Sequence, residues 1–336
     1  MKKIFLIVIG LCLILNVMGQ WSPQVTGFSN ASTGVRYIHA VNEEVVWCTA
    51  YDGVNPATQN TQYCYTIDGG NSWSNSVIPG YSGYGTSMIF AINSSIAWIP
   101  VFSSTGGGAI LNTIDGGQNW TEQTTASFSG PAGFPNVVHF WNGLNGFCAG
   151  DPNGGYFEIY TTVNGGQNWT RVSQPNIPDP IASDEYGVTG YYSVVGNVVW
   201  FSTNKGRLYK SADKGLTWNV LTTPIANTQF KVFFRTELHG LIYDNQSTPS
   251  RIYETFDGGA NWSEVLYNGP LYEVDLCYVP GTENTWVSTG NAAGASFSYN
   301  GGHTWEVFPN TTGMNFLSTR FVSPTVGWAG DFTIDA

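Results

Sequence analysis

Short runs of alternating apolar and polar residues, separated by turns rich in Gly and Asn, follow one another along this chain. Seven such runs end in an aromatic residue, and in each of them β-branched or aromatic residues surround a short polar turn. This alternation predicts β-hairpins, and no stretch has the periodicity of an amphipathic helix. The seven runs are IHAVNEEVVW (38–47), IFAINSSIAW (89–98), VHFWNGLNGF (138–147), YYSVVGNVVW (191–200), FRTELHGLIY (234–243), CYVPGTENTW (277–286) and TRFVSPTVGW (319–328).

A second motif follows each of the first six runs. Its tryptophans are spaced by 47, 49, 49, 44 and 43 residues, which is the length of one four-stranded propeller blade. The copies are TIDGGNSW (66–73), TIDGGQNW (113–120), TVNGGQNW (162–169), SADKGLTW (211–218), TFDGGANW (255–262) and SYNGGHTW (298–305).

Seven hairpins and six complete motifs predict a seven-bladed β-propeller of four-stranded antiparallel blades. The first strand of each blade is expected to be the innermost, and the repeated motif to be the turn between the outer two strands. The segment WSPQVTGF (21–28) resembles the segments after each motif, so it is expected to supply the outer strand of the last blade and close the ring. A single propeller domain is predicted for residues 20–336.

The pattern Ser/Thr-x-Asp-x-Gly-x-x-Trp resembles the Asp-box of bacterial neuraminidase repeats. Sortilin-type receptors, some glucan hydrolases and secreted propellers similar to the photosystem II stability and assembly factor share it. The resemblance covers nearly the whole chain after residue 19, and it implies the fold without implying an activity. Similar propellers of Bacteroidetes-type bacteria often carry a C-terminal domain for type IX secretion, and none is visible in this sequence.

The acidic position of the motif is predicted to be structural. An Asp or Asn at the head of a tight turn accepts hydrogen bonds from backbone N–H groups, and glycines permit positive φ. Two of the six copies carry Asn, which suits hydrogen bonding but not proton transfer. The residues at this position are Asp68, Asp115, Asn164, Asp213, Asp257 and Asn300.

The beginning of the chain has the layout of a secretory signal peptide. Lys2 and Lys3 precede an apolar run over 4–17, and small residues follow near Gly19. Residues 1–19 are therefore expected to be removed, which predicts an extracellular or cell-surface protein without stable membrane insertion. A monomer is expected. A formal net charge of −11 argues against a nucleic-acid partner.

Four cysteines follow the predicted signal peptide. Cys48 and Cys64 fall in neighbouring predicted strands and are candidates for a disulfide in an oxidising compartment, whereas Cys148 and Cys277 are expected to be buried thiols. No Cys or His cluster has metal-ligand spacing, so neither a metal site nor a cofactor is predicted.

One position can be compared around the predicted ring, eight residues before each terminal aromatic. It predicts a binding rim on the innermost strands for sugars, carboxylates or an extended peptide. Packing between blades is the alternative interpretation of these side chains. Besides Phe90, the position is occupied by His39, His139, Tyr192, Arg235, Tyr278 and Arg320.

The sequence therefore predicts a secreted, non-catalytic binding or adhesion propeller whose ligand is an extracellular glycan or a surface protein. A glycoside hydrolase of sialidase type is the alternative, because that family shares the Asp-box. Its substrate carboxylate would need three arginines, for which Arg36, Arg235 and Arg320 are the candidates on or beside inner strands. The Arg-Ile-Pro signature of that family is missing, since VRYIHA offers Arg36 without the proline.

Overall fold

The computed structural model describes residues 21–29 and 32–333. The predicted signal peptide, residues 1–19, lies outside the described residues. Within these two ranges no helix is long and apolar enough to cross a membrane. The described chain is almost entirely β-structure, with one short 3₁₀ helix at Gln174–Asn176.

Six antiparallel sheets of four strands succeed one another along the chain, each built in sequence order from its inner to its outer edge. The prediction of four-stranded antiparallel blades is confirmed. In blade two the inner strand is interrupted, and both of its parts pair with the next strand. The first three blades comprise β1 (Thr33–Ala40), β2 (Val46–Asp52), β3 (Gln62–Thr66), β4 (Ser74–Val77); β5 (Tyr84–Thr86), β6 (Phe90–Ala91), β7 (Ala97–Ser103), β8 (Gly108–Thr113), β9 (Thr121–Glu122); and β10 (Pro135–Phe140), β11 (Gly146–Pro152), β12 (Phe157–Thr162), β13 (Thr170–Arg171).

The next three blades have the same order. A final two-stranded hairpin follows them. These elements are β14 (Gly187–Val195), β15 (Val198–Thr203), β16 (Leu208–Ser211), β17 (Asn219–Leu221); β18 (Lys231–Phe234), β19 (Gly240–Asp244), β20 (Arg251–Thr255), β21 (Ser263–Val265); β22 (Asp275–Tyr278), β23 (Trp286–Gly290), β24 (Gly294–Ser298), β25 (Glu306–Val307); and the hairpin β26 (Phe316–Phe321), β27 (Gly327–Asp331).

The prediction of seven blades is wrong, because the structure has six. The last sheet consists of β26 and β27 alone, and no third or fourth strand follows them in the described part of the chain. This hairpin lies between blade six and blade one, with β26 in contact with both β22 and β1. The hairpin therefore fills the gap in the ring without forming a four-stranded blade.

The predicted N-terminal closing strand is also wrong. No strand forms within residues 21–29, because an outer strand needs a third strand to pair with and β27 is the last strand of the hairpin. Trp21 instead packs its ring against Phe308, Phe316 and Phe321, with centroid distances of 5.4, 6.4 and 5.7 Å. Phe28 of the same segment packs against the buried cluster that contains Trp328, so the segment covers the hairpin through aromatic side chains.

Close backbone approach joins the hairpin to blade one. A Cβ atom at Gly34 would lie 2.1 Å from the carbonyl oxygen of Asp331, a distance that real side chains do not adopt. The contact between β1 and β27 therefore requires a residue without a side chain at position 34.

The Asp-box turns lie against the turns between the first two strands of their own blades. Gly69 N donates to Glu44 O at 3.0 Å, and Gly116 N donates to Ser95 O at 2.9 Å. Both kinds of turn therefore occupy one end of the ring, which we name the Asp-box face. The inner strands begin at the opposite end, which we name the entry face.

Within each turn the acidic or amide side chain is held by short hydrogen bonds. Asp115 Oδ1 accepts from Asn119 N at 2.9 Å and from Thr113 Oγ1 at 2.8 Å. Asn164 Oδ1 accepts from the equivalent groups, Asn168 N at 2.9 Å and Thr162 Oγ1 at 3.0 Å. Asp and Asn thus accept the same two hydrogen bonds through Oδ1, and Asp115 Oδ2 accepts a further one from Asn119 Nδ2 at 2.7 Å.

The second glycine of the motif brings the turn into contact with the preceding blade. Gly117 has φ +85°, and its carbonyl accepts a hydrogen bond from the Tyr63 hydroxyl of blade one at 2.8 Å. A Cβ at this position would lie 2.6 Å from that hydroxyl. The repeated turn therefore supports packing between blades as well as the hairpin that contains it.

Candidate functional site

A cavity of about 520 Å³ lies in the central channel. Its walls come mainly from the inner strands of blades one, four, five and six and from β26, and the lining runs from the first residues of these strands, such as Lys231, to their last residues, such as Phe234. Lys231 and Asp275 are the first residues of β18 and β22, so this charged part of the cavity lies toward the entry face. Its charged lining residues are Arg36, Lys231, Asp275 and Arg320.

Three of these charges form a bridged cluster. Asp275 Oδ1 accepts from Lys231 Nζ at 2.7 Å, and Asp275 Oδ2 accepts from Arg320 Nη1 at 3.1 Å and from Thr319 N at 2.9 Å. The Asp275 side chain is only 4% exposed. Burial alone raises the pKa of Asp275, but the charges of Lys231 and Arg320 outweigh burial and hold that pKa below its usual value. The carboxylate is thus ionised and serves as the counter-ion of two cations.

Aromatic rings support the cationic groups. The Lys231 ammonium lies 4.9 Å from the centroid of the Tyr191 ring, and the Arg320 guanidinium lies 5.5 Å from that of Tyr37. Both distances are within the range of cation–π attraction. The arrangement keeps two positive charges at fixed places on the cavity wall.

Aromatic and histidine rings on the inner strands of blades one to four pack against one another across the blade boundaries. His39 lies 4.4 Å from Phe90, Phe90 lies 4.6 Å from His139, and His139 lies 5.9 Å from Tyr192, measured between ring centroids. His39 also donates from Nε2 to the Ala91 carbonyl in blade two at 2.8 Å. These side chains connect adjacent inner strands, which is the interblade packing that the sequence offered as an alternative.

Four of the six residues predicted for the rim line the cavity, namely His139, Tyr192, Tyr278 and Arg320. His39 lies in the row of packed rings, and Arg235 lies at the Asp-box face. Arg235 donates from Nε to His239 Nδ1 and from Nη1 to the Glu283 carbonyl, and its backbone N–H belongs to the turn after β18.

Strand register explains the displacement of Arg235. In blade one His39 pairs with Trp47, whereas in blade five the residue at the equivalent place before the turn is Phe233, which pairs with Leu241. Leu241 therefore takes the place of Trp47 in blade five, and Tyr243, the aromatic residue that ends the fifth run, lies two residues further along the strand. The three arginines considered for a sialidase do not converge, because Arg36 and Arg320 line the cavity and Arg235 does not.

Lys231, Asp275 and Arg36 were not part of the predicted rim. Lys231 and Asp275 are the first residues of β18 and β22, so each is a single charged residue that opens an apolar strand. This pattern could have identified both residues as candidates, because a charged side chain at the start of a buried inner strand needs a partner of opposite charge. The partner itself came from another blade and was not readable from spacing.

The acidic residues near the ends of the second strands have local hydrogen bonds. Asp52 Oδ1 accepts from Val54 N and Asn55 N, both at 3.1 Å, and Asp244 Oδ1 accepts from Gln246 N at 3.1 Å. Asp151 accepts from Asn136 Nδ2 at 2.6 Å, yet burial raises its pKa to about 6. Within the described residues no group of three or more His, Cys, Asp or Glu side chains could hold a metal ion.

Cys48 and Cys64 lie directly opposite each other in the register of β2 and β3, and both are buried thiols in this structure. The predicted disulfide stays a prediction. Cys148 and Cys277 are also buried thiols, and Cys277 lines the cavity, where burial raises its pKa to about 11.

The long segment 172–190 between blades three and four is held against blade four by side-chain hydrogen bonds. Glu185 is 2% exposed and accepts from Arg207 Nη1 at 2.9 Å, from Thr203 Oγ1 at 2.7 Å and from Ile181 N at 2.8 Å. Tyr209 donates to the Pro178 carbonyl at 3.0 Å. The segment thus ends in a fixed position where Thr189 and Gly190 line the cavity.

Two partly buried histidines of the inner strands, His39 and His139, predict a dependence of stability on pH. Burial lowers the pKa of His39 to about 4 and that of His139 to about 3, so both stay neutral in the folded chain while the unfolded chain binds protons below pH 6.5. The free energy of unfolding is therefore expected to decrease between pH 6.5 and 4, by about 1.4 kcal/mol per pH unit for each histidine.

Chemical denaturation at a series of pH values measures this slope. His139→Phe keeps an aromatic ring in place and is expected to make the slope shallower, whereas His303→Phe, at an exposed position, should leave it as in the parent. An unchanged slope in His139→Phe would show that this histidine does not titrate in the way its burial implies.

Comparison with known proteins gives a partial family match. The sequence profile of the family described as "Photosynthesis system II assembly factor YCF48" matches residues 102–223, which include blades three and four and the last strands of blade two. A probable oligoxyloglucan-reducing end-specific xyloglucanase from Neosartorya fischeri is 26% identical over 147 residues. That match spans 42% of this chain and only 18% of the xyloglucanase.

Two solved structures resemble the whole ring. "YCF48 bound to D1 peptide" has a TM-score of 0.63 and 18% identity, covering 90% of this chain and 92% of that one. "YCF48 from Cyanidioschyzon merolae" has a TM-score of 0.65 and 16% identity, covering 93% and 98%. The chain is thus a β-propeller with repeats of the Asp-box type and a YCF48-like fold.

Proposed function

We propose that this protein is a non-catalytic propeller that binds an extended segment of a partner protein at its entry face, over the central cavity. The cavity itself is the observation on which the proposal rests. It is a concave site of about 520 Å³ in which inner strands of several blades present aromatic and charged side chains to one space. Concave sites of this size with a few placed polar groups are typical of ligand-binding positions.

The wall of the cavity suits side chains of a peptide. Tyr37, Tyr191 and Phe233 offer apolar surface, while Thr189 and Ser318 add hydroxyl groups. These residues are carried by paired strands and by the fastened end of the segment 172–190, so the binding surface is formed before a ligand arrives. A propeller of similar fold has been solved with a peptide bound, which supports a peptide as the ligand class.

The lining of the cavity does not favour glycoside hydrolysis. Hydrolases of that kind generally use a pair of carboxyl groups on either side of the scissile bond. Asp275 is the one acidic residue in the described lining, and its two oxygens are already bonded to Lys231 and Arg320. The proposal also includes action outside the cytoplasm, for which the pattern of residues 1–19 is the support.

Selection from a random peptide library tests the binding site with a matched pair of variants. Leu317 lines the cavity, whereas Leu238 is 60% exposed in a turn of the Asp-box face. Peptides selected on the parent protein are expected to lose at least tenfold in affinity for Leu317→Trp, because the larger ring occupies the cavity. The same peptides should bind Leu238→Trp with parental affinity.

Fluorescence anisotropy of the labelled peptides gives both affinities. Peptides that bind Leu317→Trp normally, or that lose binding only to Leu238→Trp, would place binding elsewhere and refute the proposal. Failure to select any peptide from a library that yields binders to a control propeller would refute it as well.

A further inference from the structure

We infer that the cavity binds a carboxylate of the partner segment, with Arg36, Lys231 and Arg320 as its cationic contacts. This inference rests on the proposed function, since it names the chemical group that the same site selects. The cavity wall carries an imbalance of charge. Three cationic side chains and one carboxylate line the cavity, although the whole chain has a formal net charge of −11.

Arg36 is the clearest part of this imbalance. Its side chain is exposed at the cavity and has no ion-pair partner among the described residues, although acidic residues outnumber basic ones nearly two to one in the sequence. An unpaired arginine in a concave, partly desolvated site attracts anions more strongly than one on an open surface.

The cluster around Asp275 leaves donors for a second carboxylate. Lys231 Nζ carries three N–H groups and makes one hydrogen bond to Asp275, and the Arg320 guanidinium carries five. The hydrogen bonds from Arg320 to Asp275 and to the Thr319 carbonyl both leave from Nη1. Asp275 therefore orients the two cations without using all of their donors.

A buried hydroxyl adds an independent sign of a missing ligand. Ser318 is 4% exposed and lines the cavity, and its Oγ has no hydrogen-bond partner within the described structure. Buried polar groups are nearly always hydrogen-bonded, and an unsatisfied one costs free energy. An incoming carboxylate oxygen would accept the Ser318 proton while the neighbouring cations neutralise its charge.

A carboxylate can come from an acidic side chain or from the end of a peptide chain, and blocked pentapeptides separate the two. The probes are acetyl-Gly-Gly-Asp-Gly-Gly-amide, its Asn counterpart as the amide, and that Asn peptide with a free C-terminal carboxylate. Ligand-observed NMR titration of the full chain is expected to show at least tenfold tighter binding of one or both carboxylate peptides than of the Asn amide.

The variants assign the contact. Arg36→Gln and Arg320→Gln should each weaken carboxylate binding about fivefold or more and leave the Asn amide unchanged. Arg251→Gln is the matched control, because Arg251 is half exposed beside Glu264 in blade five and outside the cavity. Arg36 has no structural partner to lose, so its variant separates binding from folding.

Equal binding of the Asn amide and both carboxylate peptides would overturn the inference, as would equal weakening by Arg251→Gln. Tighter binding of a phosphoserine counterpart through the same arginines would also overturn it, since the site would then select phosphate. Library peptides that require an open cavity but bind equally well without acidic residues and with an amidated C-terminus would refute the carboxylate and leave the proposed function standing. Binding of the carboxylate probes through Arg36, without any binder selected from the library, would support the carboxylate site and refute the proposed function.

Discussion

Asp275→Ala is expected to lower the free energy of unfolding by about 3–5 kcal/mol, because it leaves two cations in the channel wall without their shared counter-ion. Asp275 joins β22 to β18 through Lys231 and to β26 through Arg320 and the Thr319 N–H. The substitution therefore removes bonds between blade five, blade six and the hairpin at once. Urea denaturation followed by tryptophan fluorescence measures the change.

A triple variant separates the charge of this cluster from its packing. Lys231→Met, Asp275→Leu and Arg320→Met together replace the ion cluster by apolar side chains of similar length, which is often neutral or stabilising for buried ion pairs. The triple variant should therefore unfold closer to the parent than Asp275→Ala does. Equal stability of Asp275→Ala and the parent would show that the carboxylate is not needed to balance the two cations.

Trp200→Ala is expected to cost about 3–5 kcal/mol as well, by opening a cavity between two blades. Trp200 of β15 is fully buried and stacks on Phe234 of β18, with ring centroids 3.8 Å apart and planes within 5°. Its Nε1 also donates to the Gly258 carbonyl at 3.4 Å, in the Asp-box turn of blade five. The side chain thus joins blades four and five at two points.

Trp73→Ala is the control for this prediction. Trp73 is the tryptophan of the first Asp-box motif, is only partly buried, and its Nε1 donates to the Gln24 side chain. Its loss should cost clearly less than that of Trp200 in the same denaturation experiment. A larger loss for Trp73 would mean that the motif tryptophans, and not those of the second strands, dominate the packing.

Much of the architecture was predictable from the sequence because the repeated turn carries its own constraints. Asp115 and Asn164 have different charges but accept the same two hydrogen bonds through Oδ1, so the motif marks the third and fourth strands of a blade wherever it occurs. The spacing of the motif then gave four-stranded antiparallel blades and the inner position of the first strand. These features depend on contacts that are local in the sequence.

The closing of the ring depends on contacts that are distant in the sequence, and its prediction failed. TRFVSPTVGW forms the expected hairpin, yet the hairpin remains two-stranded and is held by β1 and β22. The contact of Gly34 with the Asp331 carbonyl shows how closely the two ends of the ring meet. The repeats in the sequence do not predict this contact, because it joins two residues from opposite ends of the propeller domain.

The site was partly predictable for a similar reason. Arg320 and Tyr278 of the compared ring position line the cavity, whereas Arg235 does not, because blade five has a different spacing between its turn and its aromatic residue. Lys231 and Asp275 meet across two blades, 44 residues apart in the chain. Their pairing depends on how the inner strands of neighbouring blades are placed side by side, and the sequence repeats do not predict which side chains then meet.

The most direct test of the proposed binding site is a crystal structure of the protein with a library-selected peptide. The peptide is predicted to lie across the entry face, with a carboxylate oxygen within hydrogen-bond distance of Arg36, Lys231 or Arg320 and of Ser318 Oγ. A peptide bound along the Asp-box face, or over the entry face with the cavity left to water, would contradict this account.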